Sequence, residues 1–127
     1  MSDKGYRSVS VQIVNDGWED MEVAAVAASV NAGWIGSAPT SGEPLAQYAM
    51  KTWGVMTDAT DSNVSGMMSF MSKGSAYPLS ISFTNSNIGE STCTATHNNL
   101  YKAVINQVDT KSLNHSMFNL VILAIGG

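Results

Sequence analysis

Hydrophobic and polar residues alternate along most of the chain in short runs, and each run is bounded by a turn-forming sequence. The first run, RSVSVQIV (residues 7–14), alternates valine and isoleucine with serine and glutamine, which predicts a half-buried strand. It ends at NDG (residues 15–17). Asn and Asp tolerate a positive φ and Gly adopts one readily, so this tripeptide predicts a hairpin turn.

The next four segments are an ambiguous run, a loop, a strand and a polar connection. WEDMEVAAVAASVNAGW (residues 18–34) has alanine and valine spacing that also suits a helix of about three turns, but the hairpin turn before it favours a strand returning along the first. GSAPTSGEP (residues 36–44) predicts a loop. QYAMKTWG (residues 47–54) predicts a third strand, and VMTDATDSN (residues 55–63) a polar connection.

The segment from Asn63 to Phe83 predicts a hairpin of two strands around a Lys73-Gly74 turn. Its second arm alternates apolar and polar positions, as expected of an amphipathic strand with one face in a core. In the first arm, Met67 and Met71 fall among serines on the nominally polar face. Methionine is an adaptable apolar side chain, so these two residues are a candidate interface.

The rest of the chain continues the same succession of strand and turn sequences. NSNIGE (residues 85–90) predicts a turn, and three further strands are predicted for STCTATH (91–97), YKAVINQV (101–108) and LNHSMFNLVILA (113–124). Short strands that recur every ten or so residues between turn signals are typical of an all-β sandwich or barrel. We therefore predict a two-sheet antiparallel β-sandwich that forms a single domain over residues 1–127.

Composition and charge exclude several classes of function. Only 13% of the 127 residues are charged, and the net charge is −4 without a cluster of Lys or Arg, which argues against nucleic acid as a partner. A single cysteine rules out an internal disulfide. The N-terminus lacks an apolar signal sequence, and no apolar run reaches the length of a membrane span. Cytoplasmic synthesis is expected, with later release to act outside the cell left open.

Catalytic and metal-binding arrangements are absent from the sequence pattern. Cys93 and His97 share a strand face but stand about 13 Å apart along an extended strand, too far to bind one ion. His115 and Ser116 are adjacent and point to opposite faces. The acidic residues near the first turn lack the regular ligand spacing of a calcium loop. We expect no enzymatic activity, no metal and no cofactor.

Aromatic residues suggest binding instead. Trp18, Trp34 and Trp53 each lie at or near a predicted strand end or turn, and Tyr48 and Tyr77 lie in similar places. An indole at such a place is most often part of a core. Several together also suit the interface of a membrane. Because aromatic rings stack on sugars as well, this pattern does not separate a lipid ligand from a glycan.

The order of these signals resembles a known superfamily. RSVSVQIVNDG is followed by a Gly- and Pro-rich loop, a Gly-bearing apolar strand (VSGMMSFMS), a KG turn, the strand YPLSISF and a closing apolar strand. This succession resembles the actinoporin-like cytolysins, which include fungal fruit-body lectins. It is also similar to the aegerolysins and to small bacterial insecticidal proteins. The best stretch is 64–84, and a looser likeness extends over 7–124.

The resemblance implies a headgroup site at the end of the second hairpin strand. Ser82 falls where actinoporins use a serine to contact phosphocholine, Thr84 where they carry a proline, and Asn85 onward where they carry a row of tyrosine and tryptophan. The chain has TNSNIGEST there, which departs from an aromatic cage. The amphipathic N-terminal helix that actinoporins insert has no counterpart, since about six residues precede the first strand.

These observations predict a membrane-binding, cytolysin-like or insecticidal-toxin-like protein that recognises a lipid headgroup. It would act by oligomerisation, as a homo-oligomer or with a partner toxin chain. The candidate binding residues are Trp53, Tyr77, Ser82, Thr84 and Asn85. One alternative is a carbohydrate-binding lectin on a similar sandwich. Another is a self-assembling structural protein, because strands of low charge lack the usual protection against pairing edge to edge.

Overall fold

The computed structural model describes residues 6–88, 90–110 and 112–125, which form ten β-strands in two sheets. The strands are β1 (Arg7–Asp16), β2 (Met21–Ala28), β3 (Gly33–Trp34), β4 (Pro44–Leu45), β5 (Met50–Thr57), β6 (Val64–Ser72), β7 (Leu79–Asn85), β8 (Ser91–Thr96), β9 (Tyr101–Val108) and β10 (His115–Ala124).

Each sheet has five strands, and the predicted β-sandwich is confirmed. Sheet A has the order β3-β5-β1-β10-β9, and sheet B has the order β4-β2-β6-β7-β8. Every strand pair is antiparallel except β1 and β10, which run parallel in the middle of sheet A. The first and last strands of the chain are therefore hydrogen-bonded neighbours.

The core lies between the two sheets and is built from alternate residues of each long strand. In β1 the three inward residues Val9, Val11 and Ile13 have no exposed surface, as the alternating pattern predicted. In β6 and β7 the inward residues are apolar too, except for Asn85, which is polar and fully buried, and Gly66, whose space is filled by the Phe83 ring. Burial of this kind stabilises the fold by roughly 25 cal/mol per Å² of apolar surface.

The strand after the NDG sequence does not return along β1, so the predicted hairpin is wrong. Both edges of β1 are occupied by β5 and β10, and β2 crosses instead to sheet B, where it pairs with β4 and β6. The Asn15 side chain is buried and turns the chain: its oxygen accepts from the Gly17 amide, and its NH₂ donates to the Glu19 and Leu45 carbonyls. The strand assignment itself is confirmed and the helix is excluded.

The β6–β7 hairpin forms as predicted, with seven residue pairs in register from Val64↔Asn85 to Phe70↔Leu79. Its turn is longer than Lys73-Gly74 and spans 73–78. The segment 55–63 begins as strand rather than loop, because β5 continues to Thr57.

Candidate functional site

Two of the predicted binding residues are buried and belong to the core, which corrects the sequence prediction. Trp53 is 4% exposed, and its ring centroid lies 6.0 Å from that of Phe70. Asn85 has no exposed surface and donates hydrogen bonds to the carbonyls of Ser8 and Leu113. Neither side chain contacts a ligand outside the sandwich unless the fold opens, so both are structural.

The other three predicted residues are accessible, but the structure does not bring them together. Tyr77 is 49% exposed in the turn before β7. Ser82 and Thr84 lie on the outer face of sheet B, five and seven residues further along the same strand direction. At about 3.4 Å per residue, Thr84 is near the opposite end of the sandwich from Tyr77.

Tyr77 instead belongs to a group of exposed aromatic residues at one end of the sandwich. Four loops meet there: 17–20, 46–49, 73–78 and 97–100. Three of them carry an exposed aromatic side chain, namely Trp18 (52%), Tyr48 (71%) and Tyr77 (49%). We call this group the aromatic end. An amphipathic ring that is half-exposed on a loop suits contact with a membrane interface or a sugar.

Hydrogen bonds tie these loops to one another. The Tyr48 amide donates to the Asn15 carbonyl, and the Gln47 side chain donates to the Gly17 carbonyl at 3.0 Å. The Asn98 side chain donates to the Tyr77 carbonyl at 3.1 Å. Loops held by several such bonds lose little conformational entropy on binding, so the three rings are presented by a pre-ordered scaffold.

Tyr48 has an uncommon backbone conformation. Its φ is +68°, in the left-handed region that a non-glycine residue adopts at some energetic cost. Two backbone hydrogen bonds with Asn15 hold the turn in place: the Tyr48 amide donates to the Asn15 carbonyl, and the Asn15 amide donates to the Ala49 carbonyl. Strained residues of this kind concentrate at functional sites, which supports the aromatic end as the binding region.

A polar cluster lies beneath the aromatic end. The Glu19 carboxylate accepts a hydrogen bond from the Gly74 amide at 3.2 Å. Hydrogen bonding from Ser72 is the main reason that the pKa of Glu19 is lowered, with the Gly74 amide and the Lys73 charge acting in the same direction. Burial, followed by the neighbouring Glu19 carboxylate, raises the pKa of Tyr101 to about 12.

A separate groove runs over the outer face of sheet B. It has a volume of about 290 Å³ and brings together three predicted residues, Met67, Ser82 and Thr84, next to Ser29 and Ser65. Met67 is 41% exposed, so the methionine predicted to face away from the core does so. We call this the hydroxyl groove. Met71, the other predicted interface residue, lines a different groove beside Glu22 and Lys73.

Sequence reasoning missed the aromatic end as a unit. The position of Trp18 and Tyr48 near predicted turns is the signal that the sequence carries for it. Their association depends on the crossing of β2 to sheet B, which brings loop 17–20 beside loop 73–78. Trp34, by contrast, is partly buried and packs edge-on against Phe83 at the margin of the core, with ring centroids 6.3 Å apart.

Within residues 6–88, 90–110 and 112–125, no three His, Cys, Asp or Glu side chains are grouped so that they could bind a metal ion. The same ranges contain no helix of the length and apolar character needed to cross a membrane.

Comparison with known proteins supports the fold. No family model matches the sequence, and no curated protein matches it. Among solved structures, the chain is similar to IP-1A from Alcaligenes faecalis, with a TM-score of 0.66 and 8% sequence identity. The match covers 95% of this chain and 93% of IP-1A. At that identity the likeness is one of fold alone, and it extends over nearly the whole sandwich.

Proposed function

We propose that this is a membrane-binding protein of the cytolysin-like or insecticidal-toxin-like kind, and that it recognises a lipid headgroup through its aromatic end. The observation that carries the proposal is the presence of Trp18, Tyr48 and Tyr77, all about half-exposed or more, on loops tied together at one end. Such rings insert at the level of lipid headgroups. IP-1A, which shares the fold, is an insecticidal protein, and this is compatible with the proposal.

The charges near the aromatic end indicate which lipid headgroups the protein should bind. Asp16, Asp20 and Glu22 are exposed near the aromatic end, and these carboxylates outnumber the neighbouring cations, Lys73 and Lys102. Carboxylates repel an anionic leaflet, whereas an ammonium group of a zwitterionic headgroup is attracted both to carboxylates and to aromatic faces. We therefore expect binding to phosphatidylcholine or phosphatidylethanolamine vesicles in preference to phosphatidylserine vesicles. Oligomerisation on the membrane, alone or with a partner toxin chain, would follow docking.

Liposome flotation tests this proposal. Removing the Trp18 ring should weaken binding to zwitterionic vesicles about tenfold or more, since burial of a large apolar side chain contributes roughly 1.5–3 kcal/mol. Val30→Ser is the matched control, because Val30 is 85% exposed at the opposite end of the sandwich. Trp53→Phe tests the sequence-based prediction that Trp53 is a binding residue. Because Trp53 is buried, this variant should bind as the wild type does. Loss of binding in Val30→Ser with full binding in Trp18→Ala would overturn the site.

The hydroxyl groove favours a second candidate function, that of a carbohydrate-binding protein. Ser65, Ser82 and Thr84 supply donors and acceptors side by side on a surface that lacks charge. A glycan array run in parallel separates the two functions. Binding to glycans that is lost in Ser82→Ala but kept in Trp18→Ala, together with no flotation, would favour the lectin.

A further inference from the structure

Strand β9 forms one edge of sheet A, and alternate residues of β9 turn their backbone groups away from the sheet. The Ile125 amide donates to the Leu100 carbonyl at 2.8 Å, which marks a hydrogen-bonded pair in the register of β9 and β10. In an antiparallel ladder such pairs recur at every second residue. Val104 and its even-numbered neighbours therefore bond to β10. The N–H and C=O groups of the odd-numbered residues point outward, and these residues are Tyr101, Ala103, Ile105 and Gln107.

Asn98 satisfies the outward N–H and C=O groups of the first of these residues, Tyr101. Asn98 lies beside Tyr101, where its side-chain oxygen accepts from the Tyr101 amide at 2.8 Å and its backbone amide donates to the Tyr101 carbonyl at 3.1 Å. Asn98 thus imitates the end of a neighbouring strand. Beyond it, no hydrogen bond within the described residues reaches the outward groups of Ala103 and Ile105. They form an open ladder on a long strand.

Devices that normally protect an edge strand are few in β9. Its sequence, YKAVINQV, contains no proline and a single charged residue, Lys102, and its register with β10 is continuous without a bulge. Edges with so few of these devices pair readily with another strand. The edge strands on the far side of the sandwich, β3 and β4, are two residues long. The other edge strand of sheet B, β8, has six residues against the eight of β9. The backbone of β9 is therefore the longest edge suited to such pairing.

The outer face of sheet A carries an apolar row that ends at this same edge. Four side chains lie in register across four strands: Met50 on β5, Val14 on β1, Val121 on β10 and Val104 on β9. Met50 is 56% exposed and Val104 is 44% exposed. Apolar side chains in such a row shield one another within the sheet, but the row stops abruptly at Val104, where no further strand continues it.

We propose that two copies of this chain pair through β9, antiparallel and about a two-fold axis, with Val104 opposite Val104 of the second copy. Ala103 and Ile105 then exchange backbone hydrogen bonds with Ile105 and Ala103 of the second copy. Isologous contacts of this kind are the commonest basis of homodimers, and addition of a strand to a sheet edge is an established mode of recognition.

A second copy fits this edge better than a foreign strand does. In the register that joins the two Val104 residues, the apolar row continues without a break into the same row of the second copy. Lys102 falls opposite Asn106 of the second copy, so the positive charges do not face each other. The Asn98 cap ends the ladder at Tyr101 on both sides, which limits pairing to the central residues and fixes the register.

The geometry has a consequence for membrane binding. Antiparallel pairing of β9 directs the aromatic ends of the two copies in opposite directions, so the dimer presents one aromatic end to any one membrane. The pairing uses backbone groups along the side of the sandwich and none of the loops that carry Trp18, Tyr48 and Tyr77. It therefore does not depend on the lipid-binding function proposed above, and each can fail without the other.

Light scattering coupled to size-exclusion chromatography tests the pairing. The wild type should have twice the 13.4 kDa mass of one chain. In Ala103→Pro the outward N–H is removed and replaced by a ring, while the bonds from β9 to β10 stay in place, so the mass should fall to that of a monomer. Ala103→Ser keeps the N–H and should remain dimeric. A wild-type monomer at the highest soluble concentration, or open polymers, would overturn the proposal.

Disulfide cross-linking checks the register without a proline. Opposed residues of a non-hydrogen-bonded antiparallel pair have Cα atoms about 4.5 Å apart, within the range that a disulfide spans. In a Cys93→Ala background, Val104→Cys should form a covalent dimer on mild oxidation. Asn119→Cys, exposed on the same face but one strand inward, should stay monomeric on a denaturing gel. Equal cross-linking of the two variants, or none in Val104→Cys, would contradict the pairing.

Discussion

The Asn85 side chain of sheet B donates a hydrogen bond of 3.0 Å to the carbonyl oxygen of Ser8 in sheet A. A second bond of 3.0 Å from the same NH₂ group reaches the carbonyl of Leu113, in the loop before β10. One buried amide thus joins both sheets and a connecting loop. A residue that resemblance placed in a lipid site is a structural cross-link of the sandwich.

Replacement of Asn85 by Ala should lower the free energy of unfolding by about 1–3 kcal/mol, because the buried carbonyl of Ser8 and the part-buried carbonyl of Leu113 each lose a donor. Denaturant unfolding followed by fluorescence measures the change. Asn119→Ala is the control: Asn119 is exposed on β10, and its removal should change stability by less than about 0.5 kcal/mol. Equal effects of the two substitutions would show that the cross-link is not important.

Gly66 and Phe83 form a cross-strand pair in which the aromatic ring lies over the glycine. A Cβ atom at Gly66 would approach Cε2 of Phe83 to 2.6 Å, so Gly66→Ala should destabilise the fold by about 1–3 kcal/mol through overpacking. Phe83→Leu removes the ring that clashes, and the double variant should therefore be more stable than the sum of the single changes predicts. Strict additivity in a denaturation experiment would contradict this packing.

A Gly33→Ala variant provides the comparison for Gly66→Ala. Gly33 also lies in a strand, but a Cβ atom there meets no atom within 4 Å. We expect its stability to be equal to or slightly above that of the wild type, since alanine reduces the entropy of the unfolded chain. If Gly33→Ala lost as much stability as Gly66→Ala, the cost at Gly66 would come from the backbone conformation of glycine in a strand and not from the space under the Phe83 ring.

Cys93 is half-buried on the inner face of β8, and burial raises the pKa of its thiol to about 11. Since the thiolate is the reactive form, alkylation by iodoacetamide should be slow at pH 8 and should keep accelerating as the pH rises from 9 towards 11. Mass spectrometry follows the reaction. In denaturant the rate should level off near the ordinary pKa of about 8.5. A plateau at that pH in the folded protein would contradict the assigned environment.

Local alternation was sufficient to predict most strands and the sandwich, because side chains on opposite faces of a strand meet either core or solvent. It could not assign strands to sheets: the NDG sequence has hairpin chemistry, and only the buried Asn15 contacts with Glu19 and Leu45 show why β2 leaves β1. The same limit applies to the site. Trp18 and Tyr77 lie 59 positions apart in the chain, and a long-range crossing places their loops at one end.

The Tyr101 hydroxyl makes the stability of the fold depend on pH in the alkaline range. Its ring packs on Gly17, and its hydroxyl is inaccessible to solvent beside the Glu19 carboxylate, without a hydrogen bond of good geometry to any described group. Burial and the carboxylate raise the pKa of Tyr101 to about 12 from the ordinary value of 10. The unfolded chain therefore loses this proton first as the pH rises. Stability from this group is intact below pH 10 and declines between pH 10 and 12.

In Tyr101→Phe the decline between pH 10 and 12 should be smaller than in the wild type, because the phenyl ring keeps the packing and has no proton to lose. Thermal unfolding at a series of pH values measures the slope, and absorbance at the tyrosinate band should lose its step near pH 12. Glu19→Gln serves as the second variant, since removal of the neighbouring charge should move the Tyr101 step to lower pH. Identical slopes in Tyr101→Phe and the wild type would assign the alkaline loss to other groups.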